Sequence, residues 1–106
     1  MSPLEQQFDD LDQRVRTLIG LLEEAEETYW VAYFRRSLGQ LAERRLSGAT
    51  FVLGGFGGQD TFSDLVIGRR WQDADPLRFR NLNARLSHLR TGTFEAANAI
   101  TSRRAW

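Results

Sequence analysis

The segment Gly54-Gly55-Phe56-Gly57-Gly58-Gln59-Asp60 has the glycine density of a loop that cradles phosphate through backbone N–H groups. The match fails in detail. A dinucleotide fingerprint starting at Gly55-Phe56-Gly57 needs Gly or Ala where Asp60 stands, and no Gly-Lys-Ser/Thr follows. Asp60 and Asp64, with Asp73 and Asp75, could act as an acid/base pair or hold magnesium through carboxylates and water. The simpler reading is that these short acids cap turns and helix starts, with Asp60 the most open case. His88 can be grouped with Ser87 or Ser63 and an aspartate, yet no nucleophile-elbow sequence accompanies them. The arginine pairs at 35–36, 44–45, 69–70 and 103–104 recur near Trp30, Trp71, Phe79 and Trp106. They could clamp phosphates beside stacked bases, although pairing with the chain's own acids is simpler. Trp71 follows two arginines and is a suitable interface anchor.

Composition closes off further chemistry. The chain has 106 residues, with 14 basic and 14 acidic side chains and no net charge. Every basic residue is Arg; Lys and Cys are absent, and His occurs once. There is no Schiff-base amine, thiol nucleophile, disulfide frame or thiolate metal site to build with. We therefore expect no catalytic residue, no cofactor and no metal.

Zero net charge argues against a general nucleic-acid binder. The charge is unevenly placed. Residues 1–27 carry eight acids against two arginines, and residues 78–106 carry six arginines against one acid. Either two oppositely charged helices lie side by side, or one charged face meets a partner of opposite sign. No apolar stretch reaches the roughly 18 residues of a membrane span. The acidic N-terminus lacks a secretion signal, which points to a cytoplasmic domain.

The elements that must position these residues are helical. Ser2-Pro3-Leu4-Glu5 is a capped helix start. Leu4, Phe8, Leu11, Val15, Leu18, Leu22, Ala25 and Tyr29 then recur in steps of four and three. This heptad-like stripe suits the core of a bundle or a two-chain coiled coil. The apolar phase jumps at Trp30, Phe34, Leu38 and Leu41, so a turn near Glu26-Glu27-Thr28 starts a second helix over about 28–47. Gly48 is the expected left-handed closure of that helix. Residues 48–74 hold six of the nine glycines and read as an irregular segment, in which Leu65-Val66-Ile67 is a short strand or a buried extended turn. Asp75-Pro76 starts the last helix, running to about 103 unless Thr91-Gly92 breaks it. The expected fold is all-α: one domain, a three- or four-helix bundle with the Gly-rich segment between helix two and the last long helix.

The ten residues Phe56-Gly57-Gly58-Gln59-Asp60-Thr61-Phe62-Ser63-Asp64-Leu65 resemble a motif of a family of small bacterial helical proteins. The family pattern is Phe/Tyr-Gly-Gly-Met-Gly-Ser-Phe/Leu-Asn-Asp-Leu, set between an N-terminal helical pair and a C-terminal helix. Phe56, Gly57, Gly58, Phe62, Asp64 and Leu65 match, while Gln59 and Asp60 replace Met and Gly. Members look like immunity-type proteins encoded beside secreted polymorphic toxins. The resemblance implies a helical fold and a cognate toxin as protein partner, not a reaction. Asp64 is then expected to cap the loop, Phe62 and Leu65 to anchor it, and Gly57 and Gly58 to turn it sharply. Glu23, Glu24, Glu27, Asp60 and Trp71 are the candidate interface residues. The alternative is a self-associating helical module, pairing two chains through the Leu4–Tyr29 heptad as a homodimer.

Overall fold

Ser2 Oγ accepts from the Glu5 N–H at 3.1 Å and Pro3 takes the first helical position, which starts α1 (Pro3–Glu24). The computed structural model describes residues 2–57 and 61–102. Gly58, Gln59 and Asp60, the Arg103-Arg104 pair and Trp106 lie outside the described residues. The stripe of α1 does what its spacing implies: Phe8, Leu11, Val15, Leu18 and Leu22 are buried, joined by Ile19 and Leu21. This chain's own helices cover it. Its two ends, Leu4 and Tyr29, stay exposed.

Neither of the first two helices ends on glycine. At the first turn Glu26 takes φ 61°, its N–H donates to Glu23 O at 3.0 Å, and the Glu27 N–H donates to Leu22 O at 2.9 Å. That closure starts α2 (Thr28–Ala42) at the expected place. The same geometry recurs at Arg44, with φ 56° and N–H bonds from Arg44 to Leu41 O and from Arg45 to Gln40 O. Helix two therefore stops at Ala42 rather than residue 47, and α3 (Leu46–Gly54) occupies the start of the segment expected to be irregular. A left-handed non-glycine residue costs roughly 1 kcal/mol, and no residue type advertises it. Packing offsets that cost.

Gly48 is helical and buried, not a left-handed cap. Its missing Cβ lets α3 fold back on α2, since a Cβ there would stand 3.0 Å from the Leu41 backbone nitrogen. Tyr33 fastens the pair. Its hydroxyl donates to Phe51 O at 2.6 Å and its ring stacks on Phe51 at 4.5 Å. Burial, and then the neighbouring Tyr29, raise the Tyr33 pKa, so its donating proton is retained.

Asp75 Oδ1 accepts from the Arg78 N–H at 3.2 Å, and Pro76 leads α4 (Pro76–Thr101). This is one helix through Gly92. The side chain of Arg14 on α1 lies across that glycine, where a Cβ would fall 2.5 Å from Arg14 Nη1. The four helices form a closed circuit, α1 against α2, α2 against α3, α3 against α4 and α4 against α1. The whole measures 50 × 27 × 20 Å. The fold is all-helical, and it departs from a simple bundle through the nine-residue α3 and two 3-10 turns, Phe62–Asp64 and Arg69–Trp71. Leu65-Val66-Ile67 is not a strand; no strand occurs among the described residues. No helix among them is long and apolar enough to cross a membrane.

α1 does pack along α4, yet most of its acids find arginines elsewhere. Asp9 pairs with Arg44 and Glu23 with Arg35, as does Glu26 of the following turn with Arg70, while Glu24 alone reaches α4, through Arg85 at 3.1 Å. Asp10 and Asp12 pair within α1 to Arg14 and Arg16. Each exposed pair is worth about 0–1 kcal/mol, so apolar burial between the helices supplies the stability.

Candidate functional site

Of the Phe56–Leu65 motif, Phe56 and Phe62 are held by aromatic packing, and the carbonyls of Phe62 and Leu65 by α4. Phe62 is fully buried, with ring centroids 4.8 Å from Phe34, 5.2 Å from Trp30 and 5.3 Å from Phe56. Phe56 is half-buried and also meets the exposed Phe94 at 5.4 Å. The ends of the loop are tied together, since the Phe62 N–H donates to Gly55 O at 2.8 Å and Ser63 Oγ donates to Phe56 O. Gly57 is exposed, has no positive φ, and has open space where a Cβ would sit. It does stand at a bend in the chain, and Gly58 lies outside the described residues; the left-handed glycine among the described ones is Gly68, whose φ is 68°.

Two side chains of α4 hold the segment that follows. Arg90 Nη1 donates to Phe62 O at 3.1 Å and to Leu65 O at 3.2 Å. Asn83 accepts the Ile67 N–H and donates to Ile67 O, both at 2.9 Å. An extended backbone that would otherwise need a neighbouring strand is thus satisfied by side chains. Sequence reasoning assigned neither residue this role. A signal was present: Asn83 lies four residues after Phe79 and Arg90 four after Leu86, polar groups on the apolar side of the helix.

This clamped segment faces the α1–α2 turn. A cleft of about 340 Å³ is lined by Ala25, Glu26, Glu27, Val66, Gly68, Arg69 and Arg70. A second, about 240 Å³, shares Val66 and Arg69 with it and adds Trp30, Thr61, Asp64 and Leu65. A third, about 490 Å³, shares Glu26 and Glu27 with the first and extends between Glu23 of α1 and Val31 and Arg35 of α2. The three adjoin and make one concave end of the molecule.

Of the five candidate interface residues, Glu23 and Glu27 line these clefts, and Trp71 is half-buried in the 3-10 turn next to the cleft residues Arg69 and Arg70; the motif residues Asp64 and Leu65 line the second cleft. Glu24 does not join them, being drawn to Arg85 on α4. Asp60 and Gly58 fall outside the described residues. His88 is exposed on α4, and Ser63 Oγ is spent on Phe56 O. Among the described residues no group of three or more His, Asp or Glu could hold a metal ion.

Pairing among the fourteen acids and fourteen arginines leaves little charge free at this end. Glu23 and Glu26 are bound to Arg35 and Arg70. Glu27 has no ion-pair partner among the described residues, and burial raises its pKa. Arg69 likewise has none, and it lines two of the clefts. The partly buried Glu27 and the exposed Arg69 thus line one cleft together with apolar Val66 and Ala25. Comparison with protein-family models, curated proteins and solved structures gives no match.

Proposed function

We propose that this chain is a binding protein of the immunity type, acting in the cytoplasm to neutralise a cognate toxin by occluding its active or target-binding site. The observation that carries the reading is the clamped segment. The Phe62 and Leu65 ends of the motif, and Ile67 after it, are fixed on α4 by Arg90 and Asn83, and the adjoining Val66 lines a cleft with Glu27 and Arg69. A surface fixed before binding loses little entropy on association, as tight occlusion requires. No bond needs to be made or broken by this chain.

Co-expression with the product of the neighbouring gene tests the proposal. A co-purifying complex and restored growth of the toxin-expressing cells are the expected results. A chain that stays free, and cells that still die, would reject it. Sedimentation at several concentrations separates this reading from self-association, because a free immunity protein should remain a monomer where a paired module would dimerise.

A further inference from the structure

The first cleft has the α1–α2 turn, with Ala25, Glu26 and Glu27, as one wall and the chain from Val66 to Arg70 as the other. Arg70 Nη1 donates to Glu26 Oε2, so an ion pair joins residues 44 positions apart and ties the two walls together. Both side chains are more than half exposed, at 55% for Arg70 and 64% for Glu26. Glu26 makes this contact from a left-handed backbone, φ 61°, which its side chain disfavours. Such strain persists only where surrounding contacts hold it, and it gathers at clamps and switches.

The wall that carries Arg70 is fixed to α4 without the pair. Ile67 is held by Asn83, and the left-handed Gly68 then turns the chain into the 3-10 turn Arg69–Trp71. Trp71 is half-buried against the core, Arg78 Cζ of α4 lies 3.8 Å from its ring centroid, and the Asp75 N–H donates to Trp71 O at 2.8 Å. Arg70 faces the other way. Its guanidinium carbon lies 4.0 Å from the Trp71 ring centroid and its Nη1 reaches Glu26. Breaking the pair therefore releases one wall of the cleft from the other and leaves the helices as they are.

We propose that Glu26 and Arg70 form an ionic latch on this cleft, closed in the free chain and broken when a segment of the protein partner seats between the α1–α2 turn and Val66. The proposal rests on the binding reading above and adds the regulation of that site. An exposed ion pair holds weakly and is screened by salt, so the latch opens easily. The hydrogen bonds from Asn83 and Arg90 contain no carboxylate and do not open with it.

The test is hydrogen exchange on the full-length, nitrogen-15-labelled chain, read by nuclear magnetic resonance at low salt and at about 1 M sodium chloride. Glu26→Gln should speed exchange of the Trp71 and Gln72 N–H groups and of Arg70 Nε–H about two- to fivefold at low salt. High salt should do the same to the parent and add nothing to the variant. The Ile67 N–H, held by Asn83, is the internal reference and should not change. Glu23→Gln, which breaks the pair with Arg35 in the third cleft, should leave the turn as it was. In calorimetry Glu26→Gln should bind the product of the neighbouring gene about two- to fivefold tighter, because no latch has to be broken first. Unchanged exchange at the turn, the same rise with Glu23→Gln, Ile67 opening in step with Trp71, or equal or weaker binding by Glu26→Gln overturns the inference. Failure of these tests with an intact complex removes the latch alone, and the expected exchange without any complex removes the earlier reading alone.

Discussion

Asn83 on α4 engages both backbone groups of Ile67, accepting its N–H and donating to its carbonyl at 2.9 Å each. The same amide donates to Phe79 O at 2.9 Å, so one side chain satisfies three backbone groups. The clamp keeps Ile67 fully buried and fixes the segment that forms one wall of the concave end.

Asn83→Ala leaves the Ile67 N–H buried without a partner. An orphaned buried donor costs about 1–3 kcal/mol, so denaturant unfolding should show a loss of roughly 2 kcal/mol. A variant as stable as the parent would mean that Ile67 is not held through Asn83.

Gly68→Ala should cost a similar amount, for a steric reason. A Cβ at φ 68° meets Leu82 Cδ1 at 2.8 Å and the Trp71 ring at 3.2 Å, and the left-handed conformation adds about 1–2 kcal/mol of its own. Gly57→Ala is the control: with open space and no positive φ there, its thermal midpoint should stay within a degree or two of the parent. Equal losses at the two glycines would contradict the turn described here.

Thr93 is fully buried, and its hydroxyl has no hydrogen-bond partner among the described residues. Valine has nearly the same shape without the polar group. Thr93→Val should therefore stabilise the chain by about 1 kcal/mol, read as a higher denaturation midpoint with an unchanged slope. A destabilised variant would show that the hydroxyl is satisfied in solution.

The helical architecture was legible from the sequence because it is written in periodicity and caps. The Phe8-to-Leu22 stripe, the Ser2 and Asp75 caps and the phase jump at Trp30 all fall where the chain uses them. The α2–α3 break was not legible, because Arg44 closes the helix in a conformation its side chain disfavours and Gly48 serves close packing instead. For the site, counting charges showed that the N-terminal acids were unbalanced locally. It could not show that Glu23, Glu24 and Glu26 find arginines from three different elements while Glu27 does not. That depends on which side chains the turns bring within reach.

Glu27 gives the concave end a pH signature. Burial holds its pKa above the ordinary value of 4.5, so the folded chain binds this proton more tightly than the unfolded chain. The stability of the protonated form is fully present below the ordinary carboxylate value and is lost as pH rises through the folded value. Glu27→Gln never ionises, so near neutral pH it should melt above the parent, and the difference should vanish in acid. Thermal melts across that range check the sign; a variant less stable at neutral pH would indicate a favourable partner for the carboxylate.

The most direct measurement is a calorimetric titration of the purified chain against the product of the adjacent gene, the proposed toxin, repeated with Arg69→Glu and Glu27→Arg. The account predicts a one-to-one complex, weakened about tenfold or more by either charge reversal, and loss of toxin activity in step with occupancy. No heat of binding, or a complex indifferent to both reversals, would contradict it.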